Sequence, residues 1–103
     1  MREQDAGWVT HRSDGDPSEV LEHPGVVVRV ISDGRGIVAQ GTGTERDERH
    51  VRVDPASPDG RALRLSKPTF FYTKPLVVRP ESFRATVVCP PDLFIALRRL
   101  VGF

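Results

Sequence analysis

The 103-residue sequence has only one cysteine, Cys89. A lone thiol excludes an intrachain disulfide and favours a reducing compartment. The three histidines, His11, His23 and His50, are scattered and form no zinc-site spacing with that cysteine. The CxxC, HExxH, GxxxxGK[ST] and GxSxG patterns are missing, and with them the usual signatures of dithiol redox, zinc-protease, P-loop and α/β-hydrolase chemistry. No metal and no cofactor is expected. No apolar run approaches the roughly 18–20 residues that a membrane-spanning helix needs. The opening Met1-Arg2-Glu3-Gln4-Asp5 is polar and lacks a signal-peptide core, so the expected address is the cytoplasm, with no membrane partner. Lysine is scarce too: Lys67 and Lys74 are the only two among fifteen basic residues.

What is present suits one small folded domain. A hydrophobic fraction of 38% beside 28% charged residues is ordinary for a globular chain, and this length encloses one core and no second. The formal charge of +1 hides an asymmetry. Up to Gly25, six acids (Glu3, Asp5, Asp14, Asp16, Glu19, Glu22) stand against Arg2 and Arg12, and the remainder of the chain is net basic. Arginine forks grip phosphates and stack on bases, which points to nucleic acid. Arginine-rich codon usage accounts for the same bias without any ligand. If the acidic first segment folds back on the basic part, it would act as a built-in mask.

The pattern of residues predicts a mainly β protein. Residues 1–6 read as a flexible N-terminus and 7–103 as one domain. Gly7–His11 reads as a strand, and Ser13–His23 as a loop rich in turn formers. Val26–Ile31, nearly all β-branched, reads as a strand covered on both faces. Asp33-Gly34 is a hairpin turn, and Ile37–Gln40 is the returning strand. Glu45–Arg49 is a charged loop. His50–Val53 alternates as a half-buried strand does. Asp54–Gly60 is a loop by composition, followed by short strands over Ala62–Leu65, Thr69–Thr73 and Leu76–Val78. Arg79–Phe83 forms one helical turn, and Arg84–Cys89 is a last strand. Pro90-Pro91-Asp92 opens a helix whose Leu93, Leu97 and Leu100 form one apolar stripe for packing across the sheet.

The order of these pieces resembles the MazF/PemK family of type II toxin–antitoxin ribonucleases. Five short segments carry the resemblance: Gly7-Trp8-Val9; His23-Pro24-Gly25-Val26-Val27-Val28; Val38-Ala39-Gln40-Gly41-Thr42; Lys67-Pro68-Thr69-Phe70-Phe71-Tyr72; and the helix from Pro91. Together they span Gly7 to Val101. The resemblance implies a small SH3-like (CcdB/MazF-type) antiparallel barrel with a C-terminal helix, forming a homodimer. It implies a toxin neutralised by a cognate antitoxin protein, and a metal-independent endoribonuclease that cleaves single-stranded RNA by 2′-hydroxyl attack.

That chemistry needs a base for the 2′-hydroxyl, a proton for the leaving 5′-oxygen, and donors or a cation for the phosphate. The resemblance assigns catalysis to positions 23 and 42. Thr42 matches the family's threonine, whereas His23 stands where the family has an arginine, and Trp8 where it has an acid. Histidine is itself capable of acid–base work. His11, Arg12, Gln40, Thr44 and Lys67 are the expected RNA-binding residues, and Phe70, Phe71 and Tyr72 are possible base-stacking rings or core. Each residue also has a plainer reading: His23 as a loop residue before proline, Thr42 and Thr44 as glycine-flanked turn residues, Gln40 as a strand amide, Cys89 as an inert apolar side chain. The competing function is a degenerate, non-catalytic barrel that binds RNA or a protein partner such as gyrase.

Overall fold

Val26, Val27 and Val28 are all fully buried at the centre of the longest strand, β2 (Val20–Val30), as a strand covered on both faces requires. The computed structural model describes residues 1–13, 15–45 and 47–103; Asp14 of the acidic segment and Arg46 of the charged loop lie outside the described residues. Around β2 are β1 (Asp5–Arg12), β3 (Gly36–Thr42), β4 (His50–Val53), β5 (Thr69–Tyr72), β6 (Leu76–Val78) and β7 (Phe83–Val88). Every pairing is antiparallel, in the order β4-β5-β3-β2-β1-β7, with β6 also on β3. The sheet is not closed: β4 and β7 end the order, and no pairing joins them among the described residues.

The turn after β2 forms at Asp33-Gly34 as its composition predicts. Gly34 takes φ 89°, and the Asp33 carboxylate accepts from Arg35 N at 3.1 Å and Nε at 2.7 Å. Those contacts, the Arg35 amide foremost, hold the Asp33 carboxyl below its ordinary range.

Alternation along β2 splits the valine run between the two faces, and an extra residue between Val27 and Arg29 interrupts its register with β3. Val26 and Val28 join Ala39, Phe71 and Cys89 under the helix stripe Leu93, Leu97 and Leu100. Val27 joins Val9, Val38 and Val78 on the other face. The helix α2 (Pro91–Val101) lies against β2, β3, β4 and β5, and closes on Gly102 at φ 93°, whose N–H reaches the Arg98 and Arg99 carbonyls. Cys89 is buried, and its thiol is pushed up to about 12, first by desolvation and then by the Asp59 carboxylate, so it stays protonated and unreactive at neutral pH.

Three expectations are corrected. Val20–His23 belongs to β2 and not to the preceding loop, because it pairs with Thr10, His11 and Arg12 of β1 and with Val9. The segment Pro58–Ala62 is a short helix, α1, capped by Ser57 Oγ accepting from Gly60 N at 3.0 Å. Consequently Ala62–Leu65 is no strand: Leu63 N still bonds Asp59 O, and Arg64 turns the chain at φ 57°. The one-turn helix over Arg79–Phe83 is present as a 3₁₀ turn, Pro80–Ser82. In the N-terminal segment β1 begins at Asp5; Gln4 N donates to Val27 O and Gln4 Nε2 to Cys89 O, while Glu3 pairs with Arg98.

Candidate functional site

Pro24 decides where the site opens. It pairs with Trp8 of β1, and the pairing of β2 with β3 stops one residue later, at Gly25↔Gln40. Proline has no N–H to give a second neighbour, so it suits a strand position left unpaired on that side. From there β2 stays with β1, while β3 leaves it and pairs through Gly41 and Thr42 with Phe71 and Phe70 of β5. Gly41 permits this close approach: a Cβ there would stand 2.5 Å from Thr69 Cγ2.

The parting strands leave a cleft of about 330 Å³ with His23 and Glu22 on one wall and Thr42 and Thr44 on the other. Trp8 and Lys67 also line it. The Lys67 ammonium lies over Gly43, 3.1 Å from where a Cβ would be. Thr42 is half-buried, and its hydroxyl accepts a long bond from Thr44 N at 3.4 Å. A histidine, three threonines (Thr42, Thr44 and Thr69), a lysine and a glutamate therefore line one open cleft.

A second recess, of about 360 Å³, adjoins it and shares His23. His11 and His23 form a parallel stack there, with centroids 5.0 Å apart and planes at 16°. His11 Nδ1 lies 3.1 Å from the Arg12 carbonyl, which only accepts, so that nitrogen carries the hydrogen. Gln40 is 5% exposed, and its Nε2 donates to Lys74 O at 2.9 Å, tying β3 to the corner between β5 and β6. Both imidazoles, Gln40 and Thr42 lie along the strand face that begins with Val9, Val27 and Val38.

Of the expected RNA-binding residues, Thr44 and Lys67 fall in the cleft with His23 and Thr42, and His11 and Gln40 line the adjoining recess. Arg12 lines neither; it is exposed, and its guanidinium donates to Pro17 O at 2.8 Å. Phe70, Phe71 and Tyr72 are all buried, as core rings are. Glu22, Glu48 and Lys74 line these cavities without having been assigned to a site from sequence, and Tyr72, read there as a stacking ring or core, lines the recess. Glu48 and Lys74 lie outside the motifs they adjoin and gave little signal, whereas Glu22 directly precedes His23 and its place in the cleft was open to reading from that neighbour. No group of three or more His, Cys, Asp or Glu able to hold a metal occurs among the described residues. No helix among them is long and apolar enough to cross a membrane.

Fold and site together define a small antiparallel β protein with one C-terminal helix and a polar, imidazole-bearing cleft where its central strands part. Comparison with protein-family models, curated proteins and solved structures gives no match.

Proposed function

We propose that this chain is an RNA endonuclease of the toxin–antitoxin type that cleaves single-stranded RNA without a metal. The observation that carries the reading is the shared cleft: His23 and Thr42 line it from different strands, with Lys67 beside them. His23 takes the proton from a ribose 2′-hydroxyl, and the 2′-oxygen attacks phosphorus. Thr42 donates to a non-bridging oxygen, and the Lys67 ammonium balances the charge gathering on the phosphate. The 5′-oxygen leaves with a solvent proton, and a 2′,3′-cyclic phosphate remains. His11, stacked on His23, fixes the plane of the reacting ring. The division of β3 between β6 at one end and β5 at the other supports an SH3-like barrel as the parent architecture. A homodimer, a cytoplasmic site of action and a neutralising antitoxin protein complete the proposal.

The test is cleavage of single-stranded RNA by purified chain in EDTA. Wild type yields 2′,3′-cyclic phosphate ends, and H23A lowers the rate by about 100-fold or more, the scale of losing a general base. RNA left intact by the wild type, or equal rates for wild type, H23A and T42A, overturns it. Binding without cleavage would instead identify a non-catalytic RNA-binding barrel.

A further inference from the structure

We infer that the recess beside the catalytic cleft is a guanine-recognition pocket, so that cleavage takes place next to a guanosine; this rests on the RNA-cleaving reading of the cleft. Its volume of about 360 Å³ lies in the range of small-ligand sites and exceeds what one base fills. One wall carries the His11–His23 stack, its planes at 16°. Imidazole faces are platforms on which unpaired RNA bases stack. His23 lines both cavities, so a base against this wall belongs to a nucleotide whose phosphate reaches the cleft.

The polar groups around the wall select among the four bases. Glu48 contributes a carboxylate, and its loop is held by His50 Nδ1, 3.0 Å from the Glu48 carbonyl. Gln40 is almost wholly buried; one amide N–H is spent on Lys74 O, and its side-chain oxygen accepts no hydrogen bond among the described residues. A buried acceptor of this kind asks for a donor from a ligand. The recess thus offers two acceptors, Glu48 and Gln40 Oε1, and one cationic donor, Lys74. Guanine alone presents two adjacent donors, N1–H and the N2 amine, which a carboxylate accepts side by side, next to an O6 acceptor for an ammonium. Adenine, cytosine and uracil each put an acceptor where the second donor is needed, and would leave the carboxylate facing a lone pair.

The test measures equilibrium binding of the full chain to 2′-O-methyl pentamers, which cannot be cleaved, of sequence UUNUU with N as G, A, U, C or inosine. The G pentamer binds about tenfold or more tighter than the A, U and C pentamers, the size of one good bidentate base contact. Inosine, lacking the N2 amine, loses most of that gain. E48Q abolishes the preference for G while leaving affinity for the A pentamer within about twofold, and T42A keeps the preference. Equal affinity for G and A, equal affinity for G and inosine, or a preference that survives in E48Q overturns the inference. The two proposals fail separately: G-selective binding without cleavage removes the nuclease and keeps the pocket, whereas cleavage indifferent to the neighbouring base removes the pocket and keeps the nuclease.

Discussion

The two faces of the central sheet divide the protein between them. One face is apolar where the helix covers it: Val26, Val28, Ala39 and Phe71 lie beneath the Leu93–Leu97–Leu100 stripe of α2. The other begins as an apolar cluster of Val9, Val27, Val38 and Val78, and then continues along the same three strands as His11, His23, Gln40 and Thr42. The strands are shared, so backbone pairing is the same for both. The difference lies in what covers each face. A helix excludes water from the first, whereas the polar end of the second, where β2 and β3 part, opens on the cleft and the recess. Stability is thus concentrated on the helix-covered face, which frees the polar end of the other to carry groups that would be costly to bury.

The largest break in this comparison comes from the helix stripe. Leu97 is fully buried and belongs to the core cluster with Phe71. Leu97→Ala is expected to cost about 2–5 kcal/mol, the lost transfer energy plus a cavity that close-packed neighbours fill poorly. Urea unfolding monitored by circular dichroism reads this as a lower midpoint at unchanged slope. A loss under about 1 kcal/mol would mean that α2 packs loosely, and that the covered face is not the stabilising one.

This contrast also explains what was legible in the sequence. Elements governed by a single dominant period read correctly. The β-branched run in β2, the alternation in β4 and the leucine spacing in α2 each declare which side is buried. Elements that depend on one tertiary contact did not. Pro58-Asp59-Gly60 has the composition of a loop, yet it is helical because Ser57 caps it and Gly60 lets it settle on Asp54; a Cβ at Gly60 would overlap the Asp54 carbonyl. Val20–His23 follows a turn-rich stretch and ends at a proline, which disguises a strand that pairs on one side only. The site was half legible for the same reason. His23 and Thr42 each adjoin a local landmark, a proline and a pair of glycines, whereas Glu48 and Lys74 reach the recess only through the pairing of β5 with β3 and the corner after it.

A second test sharpens the covered face by pH. The Cys89 thiol ionises at about 12 in the folded chain against an ordinary 9.0, so the folded state holds its proton where the unfolded chain has lost it. Between those values the unfolded state binds fewer protons, and stability falls as pH rises; below about 9 the contribution is fully present. Relative to Cys89→Ala, the wild type is expected to lose about 2 kcal/mol between pH 9 and about 10.5. Denaturant midpoints for the two proteins that move in parallel over that window would show that water reaches the thiol, and that the helix-covered face is less dry than its packing implies.

The smallest stability effect is expected at the polar end of the other face, and this smallness is the strongest test of the division. Thr42 is half-buried, its methyl joins neither apolar cluster, and its hydroxyl takes only the 3.4 Å bond from Thr44 N. A bond of that length lies beyond the usual N–H···O range and contributes little. Thr42→Ala should therefore change unfolding free energy by no more than about 0.5 kcal/mol, as for a surface position outside the core. RNA cleavage by the same variant should fall by about 100-fold, on the scale of removing one preorganised donor to a developing oxyanion. A site residue whose loss weakened folding as much as Leu97→Ala would mean that the polar end is structural after all. Near-wild-type stability with a large fall in rate separates the faces, because folding then ignores the hydroxyl that the chemistry requires.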